Sequence, residues 1–168
     1  MQPLALLPAA VALSVDGVAI ADSTVTLFLR TTSEAACCPL CDRPSRHAHG
    51  RYVRHVNDLP YQGRATTLHL TARKFCCKNK DCPRRVFCER LPDLVPKHAR
   101  STARLIGMQR AVGFALGGEP GSCLAWEMGM PISATTLLRR VKQAASKPVT
   151  TPRVLGVDDW AWRKGQRY

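Results

Sequence analysis

Cys38-Pro39-Leu40-Cys41 and, further along, Cys77 with Cys82 constrain this chain more than any other feature. Two close-spaced cysteine pairs with 35 residues between them are what a four-thiolate tetrahedral zinc site requires. Each pair forms a turn that presents two sulfurs at about 2.3 Å from one ion. The second pair, with four residues between its cysteines, is looser than the commonest two-residue gap. Cys38 fits better than Cys37 because the two-residue gap to Cys41 makes the knuckle. Cys77 fits better than Cys76 because the two point to opposite sides of a strand and Cys77 is nearer Cys82. Cys37, Cys76 and Cys88, or a histidine among His47, His49, His55 and His69, stay open as replacements. The segment from Ala35 to Arg90 has few large apolar side chains, chiefly Leu40, Tyr52, Val53, Val56, Leu59, Tyr61, Leu68, Leu70, Phe75, Val86 and Phe87. A module of that size rarely holds together on such a core alone, so Zn2+ is expected to supply the missing stability.

The formal charge of +13 over 168 residues is unevenly placed. Residues 1–33 are net −1, whereas 34–100 carry fourteen Lys and Arg against six acids, and 101–150 add +4. A surplus concentrated around the cysteines and just after them is the footprint of a polyanion binder, with double-stranded DNA the first candidate. Eight cysteines in an exported chain would mean disulfides. However, the apolar N-terminus has no Lys or Arg before it and is broken by Pro3 and Pro8, which argues against a signal peptide. No run is long enough for a membrane span. The cysteines therefore read as reduced, in a cytoplasmic protein. Neither a membrane nor a small-molecule substrate is expected.

Taken in order, the chain reads as α+β and multi-module. Residues 1–34 form a β-hairpin, with Val25, Leu27 and Leu29 on one face and turns at Asp16-Gly17 and Ala21-Asp22-Ser23. Residues 35–98 form the zinc ribbon, in which strands from Arg51 and from Thr66 flank a turn over Asn57–Gly63. The expected outer face presents Arg51, Arg54, Arg64, Arg73 and Lys74 to a phosphate backbone. Leu91–Pro96, with two prolines, ends the module. Residues 99–146 form three helices. The first is capped by Ser101 or Thr102 and carries Leu105, Met108, Val112 and Ala115. The second is capped by Ser122, and the third, after a turn at Gly129, is capped by Ser133 with Leu137, Leu138 and Val141 inward. That is helix-turn-helix spacing, leaving Thr135, Thr136, Arg139, Arg140 and Lys142 outward for a major groove. Residues 147–168 are a linker and then a strand, Val154–Val157, ending in Asp158-Asp159.

With these pieces in this order the sequence resembles transposases of the ISL-three insertion-sequence family. The resemblance lies in Cys38–Cys41, Arg51, Asp58-Leu59-Pro60, Arg73-Lys74-Phe75-Cys76-Cys77, Cys82, Phe87-Cys88-Glu89-Arg90 and Gly156–Tyr168. It implies that the ribbon and helix-turn-helix bind the terminal inverted repeats of an element. It also implies that Gly156–Tyr168 opens a ribonuclease-H-like DDE catalytic domain. Asp158 then matches the first catalytic carboxylate, which with two others holds a pair of Mg2+ ions about 3.5–4 Å apart for strand cutting and joining. The second Asp and the Glu do not follow before Tyr168. The expectation is a truncated chain, inactive by itself, whose residues beyond about 147 lack strand partners. A second copy or a full-length transposase are the expected protein partners, and a stand-alone transcriptional regulator is the alternative function.

Overall fold

The computed structural model describes residues 12–144. Asp158, the strand read over Val154–Val157 and the whole 147–168 segment lie outside them. The described chain is mixed α+β, a sheet followed by three helices. Its strands are β1 (Leu13–Ile20), β2 (Thr24–Thr31), β3 (Ala36–Cys37), β4 (Pro44–Ser45), β5 (Ala48–Tyr61), β6 (Arg64–Cys76) and β7 (Val86–Cys88).

β1 and β2 pair antiparallel, as their alternation predicts. Asp16-Gly17, expected to be a turn, is instead a bulge inside β1, where pairing steps from Val15↔Leu29 to Gly17↔Phe28. The Asn57–Gly63 stretch, also expected to be a turn, is mostly strand. β5 continues to Tyr61, and only Gln62 and Gly63, with φ of 51° and 76°, make the turn. Two successive left-handed residues match the natural twist of a hairpin. Pro60 does not break β5 because β5 has no full neighbouring strand on its far side and its ladder shifts register between Asp58 and Tyr61.

β6 is the centre of the sheet, antiparallel to β5, parallel to β2 and extended by β7 at its end. Residues 1–34 and 35–98, set apart by their sequence patterns, thus contribute strands to one sheet. The cause is the shared inner face. Val25, Leu27 and Leu29 of β2, Val56 of β5, and Leu68 and Leu70 of β6 form one buried cluster, which neither hairpin could cover alone. Leu94 and Val95 complete it, only 1% and 3% exposed. The Leu91–Pro96 stretch is therefore a cover for the sheet as well as the end of a module, with the Val95 N–H donating to the Leu91 carbonyl at 2.8 Å. Buried Glu89, just past β7, ties β2 to β6: its Oε1 accepts from Thr31 Oγ1 and, at 2.6 Å, from the Arg73 N–H.

The helices are α1 (Ala103–Leu116), α2 (Glu119–Glu127) and α3 (Ala134–Lys142). Thr102 caps α1 and Ser133 caps α3, each hydroxyl accepting from the N–H three residues on. Ser122, expected as a cap, lies inside α2, which already starts at Glu119-Pro120; its hydroxyl donates to the Ile132 carbonyl at 2.7 Å. Met108, Ala115 and Leu138, expected inward, are exposed. The buried face of α1 is Leu105, Gln109 and Gly113. Glycine explains the rotation. A Cβ on Gly113 would stand 2.7 Å from Val141 Cγ2, and one on Gly121 2.8 Å from Leu137 Cδ2, so α3 lies close against α1 and α2 where they have no side chain.

Gly129, at φ 74°, makes the turn before α3 and touches the tip of the β5–β6 hairpin, where an added Cβ would meet the Gly63 carbonyl oxygen at 2.7 Å. Strain and collision act in the same direction. Gly129→Ala is expected to cost about 2 kcal/mol or more, read as a lower urea midpoint with an unchanged slope. Wild-type stability in that variant contradicts this contact.

Candidate metal centre and nucleic-acid interface

The first knuckle is shaped by backbone bonds. The Cys38 N–H donates to the Arg43 carbonyl at 2.9 Å and the Asp42 N–H to the Cys38 carbonyl at 2.8 Å, with Asp42 turned to φ 55°. In the second, the Cys77 N–H donates to the Arg85 carbonyl at 2.8 Å and the Cys82 N–H to the Asn79 carbonyl at 3.2 Å. A small relay fastens one knuckle to the other. Ser45 Oγ donates to the Cys76 carbonyl at 2.6 Å, and the Cys76 N–H donates to the His47 carbonyl at 2.9 Å. β5 begins and β6 ends at this same edge of the sheet, so strand pairing delivers both cysteine pairs to one place.

There the sulfurs of Cys38, Cys41, Cys77 and Cys82 all lie within 4.8 Å of one another. Cys38 and Cys82 are 3.9 Å apart, Cys41 and Cys77 3.6 Å. Thiolates at about 2.3 Å around a tetrahedral ion are separated by about 3.8 Å, so the donor set fits Zn2+. Electrostatics points the same way. The Arg43 N–H is the chief cause that draws the Cys41 thiol down to about 6. Cys77 is pushed up to about 12, because burial and its bonds to the other three sulfurs together outweigh the Asn79 N–H. Crowded thiols cannot all ionise without a cation to share; a divalent ion removes that conflict. Cys37 is exposed, and Cys76 and Cys88 are half-buried and lie outside this group.

The cationic residues do not form one surface. Arg51 and Arg73 are cross-strand partners on the outer face of the sheet. Beside them runs an aromatic row, His55 stacked on His69 at 4.8 Å and Phe28 against His69 at 5.1 Å. Arg54 belongs to the opposite face, where its Nη2 donates to the Ala99 carbonyl at 2.7 Å. Lys74 sits over the Tyr52 ring, 5.8 Å from its centroid, and Arg64 Nε donates to the Asp22 carbonyl at the hairpin turn. Period 2 places 51 and 54 on opposite faces, a signal the charge pattern obscured.

On α3, Thr135, Arg139 and Lys142 are exposed at steps of four and three residues and so share one face. Thr136 hydrogen-bonds Ser133, and half-buried Arg140 donates through Nη2 to Ser101 Oγ at 2.9 Å. Sequence pattern gave no sign of Asp58 as an anchor. Buried in β5, it accepts from Thr102 Oγ1 at 2.7 Å and pairs with Arg104, fixing α1 to the sheet. The chain between them adds to the β5 edge, with the Asn57 N–H on the Arg100 carbonyl and the Thr102 N–H on the Asn57 carbonyl, both 2.9 Å. Among the described residues no helix is long and apolar enough to cross a membrane.

Residues 34–82, which span both knuckles, match the family model described as the zinc-finger of transposase IS204/IS1001/IS1096/IS1165, the ISL3 zinc ribbon. The transposase for insertion sequence element IS1001 of Bordetella parapertussis is 28% identical over 148 residues, covering 86% of this chain and 35% of that protein. The chain thus spans about a third of the length of that relative. No solved structure matches.

Proposed function

We propose that this chain is a member of the ISL-three family of transposases, a reading supported by the zinc-ribbon match over residues 34–82 and by the IS1001 relative, and that residues 12–144 form a unit that binds duplex DNA at the terminal inverted repeats of an insertion sequence. The observation that carries this reading is the exposed α3 face of Thr135, Arg139 and Lys142, presented after the Gly129 turn. α2, that turn and α3 act as a helix-turn-helix, with α3 in the major groove. Its hydroxyls and guanidinium match base edges, while Arg51 on the sheet contacts phosphate. Cys38, Cys41, Cys77 and Cys82 hold a structural Zn2+ that joins the two knuckles.

Among the described residues the one cluster of metal-binding types is these four cysteines. A closed four-thiolate set carries structure, not hydrolysis. Binding is therefore the activity assigned to residues 12–144. Strand cutting and joining belongs, in this reading, to a whole transposase, where Asp158 serves as the first Mg2+-binding carboxylate. A second copy or a full-length enzyme is the protein partner at paired element ends.

Two substitutions test the sorting of contacts on inverted-repeat duplex and on promoter duplex at fixed salt. Arg139→Ala is expected to lose about 1–3 kcal/mol on the repeat and little on the promoter, relaxing preference. Arg51→Ala is expected to weaken both alike. Equal losses for Arg139→Ala remove α3 from base reading, and equal wild-type affinity for both duplexes overturns recognition of the repeats.

A further inference from the structure

Beside α3 the surface forms a cleft of about 700 Å³ between the Pro96–Ser101 segment, α1 and α3. Lys97, Arg100, Arg110, Arg139 and Arg140 line it, and no Asp or Glu does. The salt bridges among the described residues, Arg30–Asp16 and Arg104–Asp58, involve none of these five. Backbone and hydroxyl bonds hold Arg110 and Arg140 in place. Arg110 Nε donates to the Arg140 carbonyl at 3.0 Å, and Arg140 Nη2 donates to Ser101 Oγ.

One donor is left over. Arg140 Nη1 is buried with no hydrogen-bond partner among the described residues. Burial, then the charges of Arg139 and Arg110, lower the proton affinity of Arg140. A desolvated N–H without an acceptor is costly, and clustered cations without a counter-ion add repulsion. An anion in the cleft relieves both. Thr136 and Arg139 line the cleft and also border the exposed face of α3, so an anion seated here is adjacent to whatever α3 touches.

We infer that this cleft seats a backbone phosphate of the bound duplex, clamped between Lys97 and Arg100 on one wall and Arg110 and Arg140 on the other. This rests on the duplex-binding reading and deepens it. The Pro96–Ser101 segment becomes part of the interface, and its attachment to the β5 edge sets where the phosphate sits relative to α3. Such a contact positions the helix without reading sequence.

The test uses the whole chain and the double variant Lys97→Ala/Arg100→Ala. Both side chains are exposed and make no hydrogen bond or salt bridge among the described residues, so the melting temperature is expected to hold. Affinity for the inverted-repeat duplex and for a duplex of unrelated sequence is measured across a series of NaCl concentrations. The expected result is a shallower salt dependence on both duplexes, by about 0.9 in the log–log slope for each phosphate that is no longer neutralised, with the preference between them unchanged. An unchanged slope in a variant whose parent binds DNA overturns the clamp and leaves the DNA-binding reading standing. A wild type that binds neither duplex overturns that reading and the clamp with it. Inorganic phosphate provides the remaining arm. Tight saturable binding of phosphate alone, abolished in the variant while the DNA slope stays at the wild-type value, assigns the cleft to a free phosphoryl group and overturns the backbone contact.

Discussion

Cys38→Ser is expected to release bound zinc and to melt one end of the protein while leaving the other folded. The four sulfurs pack with Phe75 and Phe87 in a cluster of their own, separate from the cluster of Val25, Leu27, Leu29, Val56, Leu68, Leu70, Leu94 and Val95. Apparent metal-binding energies of structural zinc sites, about 10–16 kcal/mol, exceed what two rings and four thiols can replace. Without the ion the knuckles are short turns with crowded sulfurs, and their backbone bonds open to water. The sheet has its own apolar face, covered by Leu94 and Val95, and keeps it. Metal analysis should therefore show zinc falling from one equivalent toward none. Hydrogen exchange should show the amides of Cys38, Cys77 and Cys82 becoming fast while those of Leu68 and Leu70 stay slow. Retained zinc removes Cys38 from the ligand set. Collapse of protection throughout the sheet shows that the larger core depends on the metal after all.

That split departs from what the sequence suggests, and the reason is physical. Between Ala35 and Arg90 the apolar side chains are too few for a domain, so a metal looks indispensable. The structure adds the strand of Val25, Leu27 and Leu29 from before the cysteines and Leu94 and Val95 from after them, giving a core no single segment displays. Local signals were legible: cysteine spacing, the alternation of β2, a cap at Ser101 or Thr102, the cap Ser133, and the Gly129 turn. Long-range ones were not. The parallel pairing of β2 with β6 has no turn to announce it. The rotation of α1 and the exposure of Leu138 follow from Gly113 and Gly121 meeting α3, and glycines carry no periodicity to count. Pro60 and Asp58 look like turn residues because their partners, the sheet edge and Arg104, lie elsewhere in the chain.

Asp58 gives the second large effect, and its direction depends on which partner is removed. Its side chain is 1% exposed, whereas that of Arg104 is 34% exposed. Arg104→Ala leaves a buried carboxylate with only the Thr102 hydroxyl to stabilise it, and breaking a buried pair in that way costs about 3–5 kcal/mol. Asp58→Asn leaves a guanidinium that can turn toward water, so its cost is smaller, about 1–2 kcal/mol. Chemical denaturation of the two variants should therefore rank Arg104→Ala as clearly less stable. The pair also aims the helices: Thr102 caps α1 and bonds Asp58 with the same hydroxyl, and Arg100 and Ser101 lie along the β5 edge beside it. Loosening it frees α1 and, through the Gly113 contact, α3. DNA affinity is accordingly expected to fall in Arg104→Ala even where the protein remains folded, although Arg104 does not line the cleft beside α3. Equal stability of the two variants refutes the burial argument. Wild-type affinity in folded Arg104→Ala shows instead that DNA binding does not depend on α1 being held to the sheet.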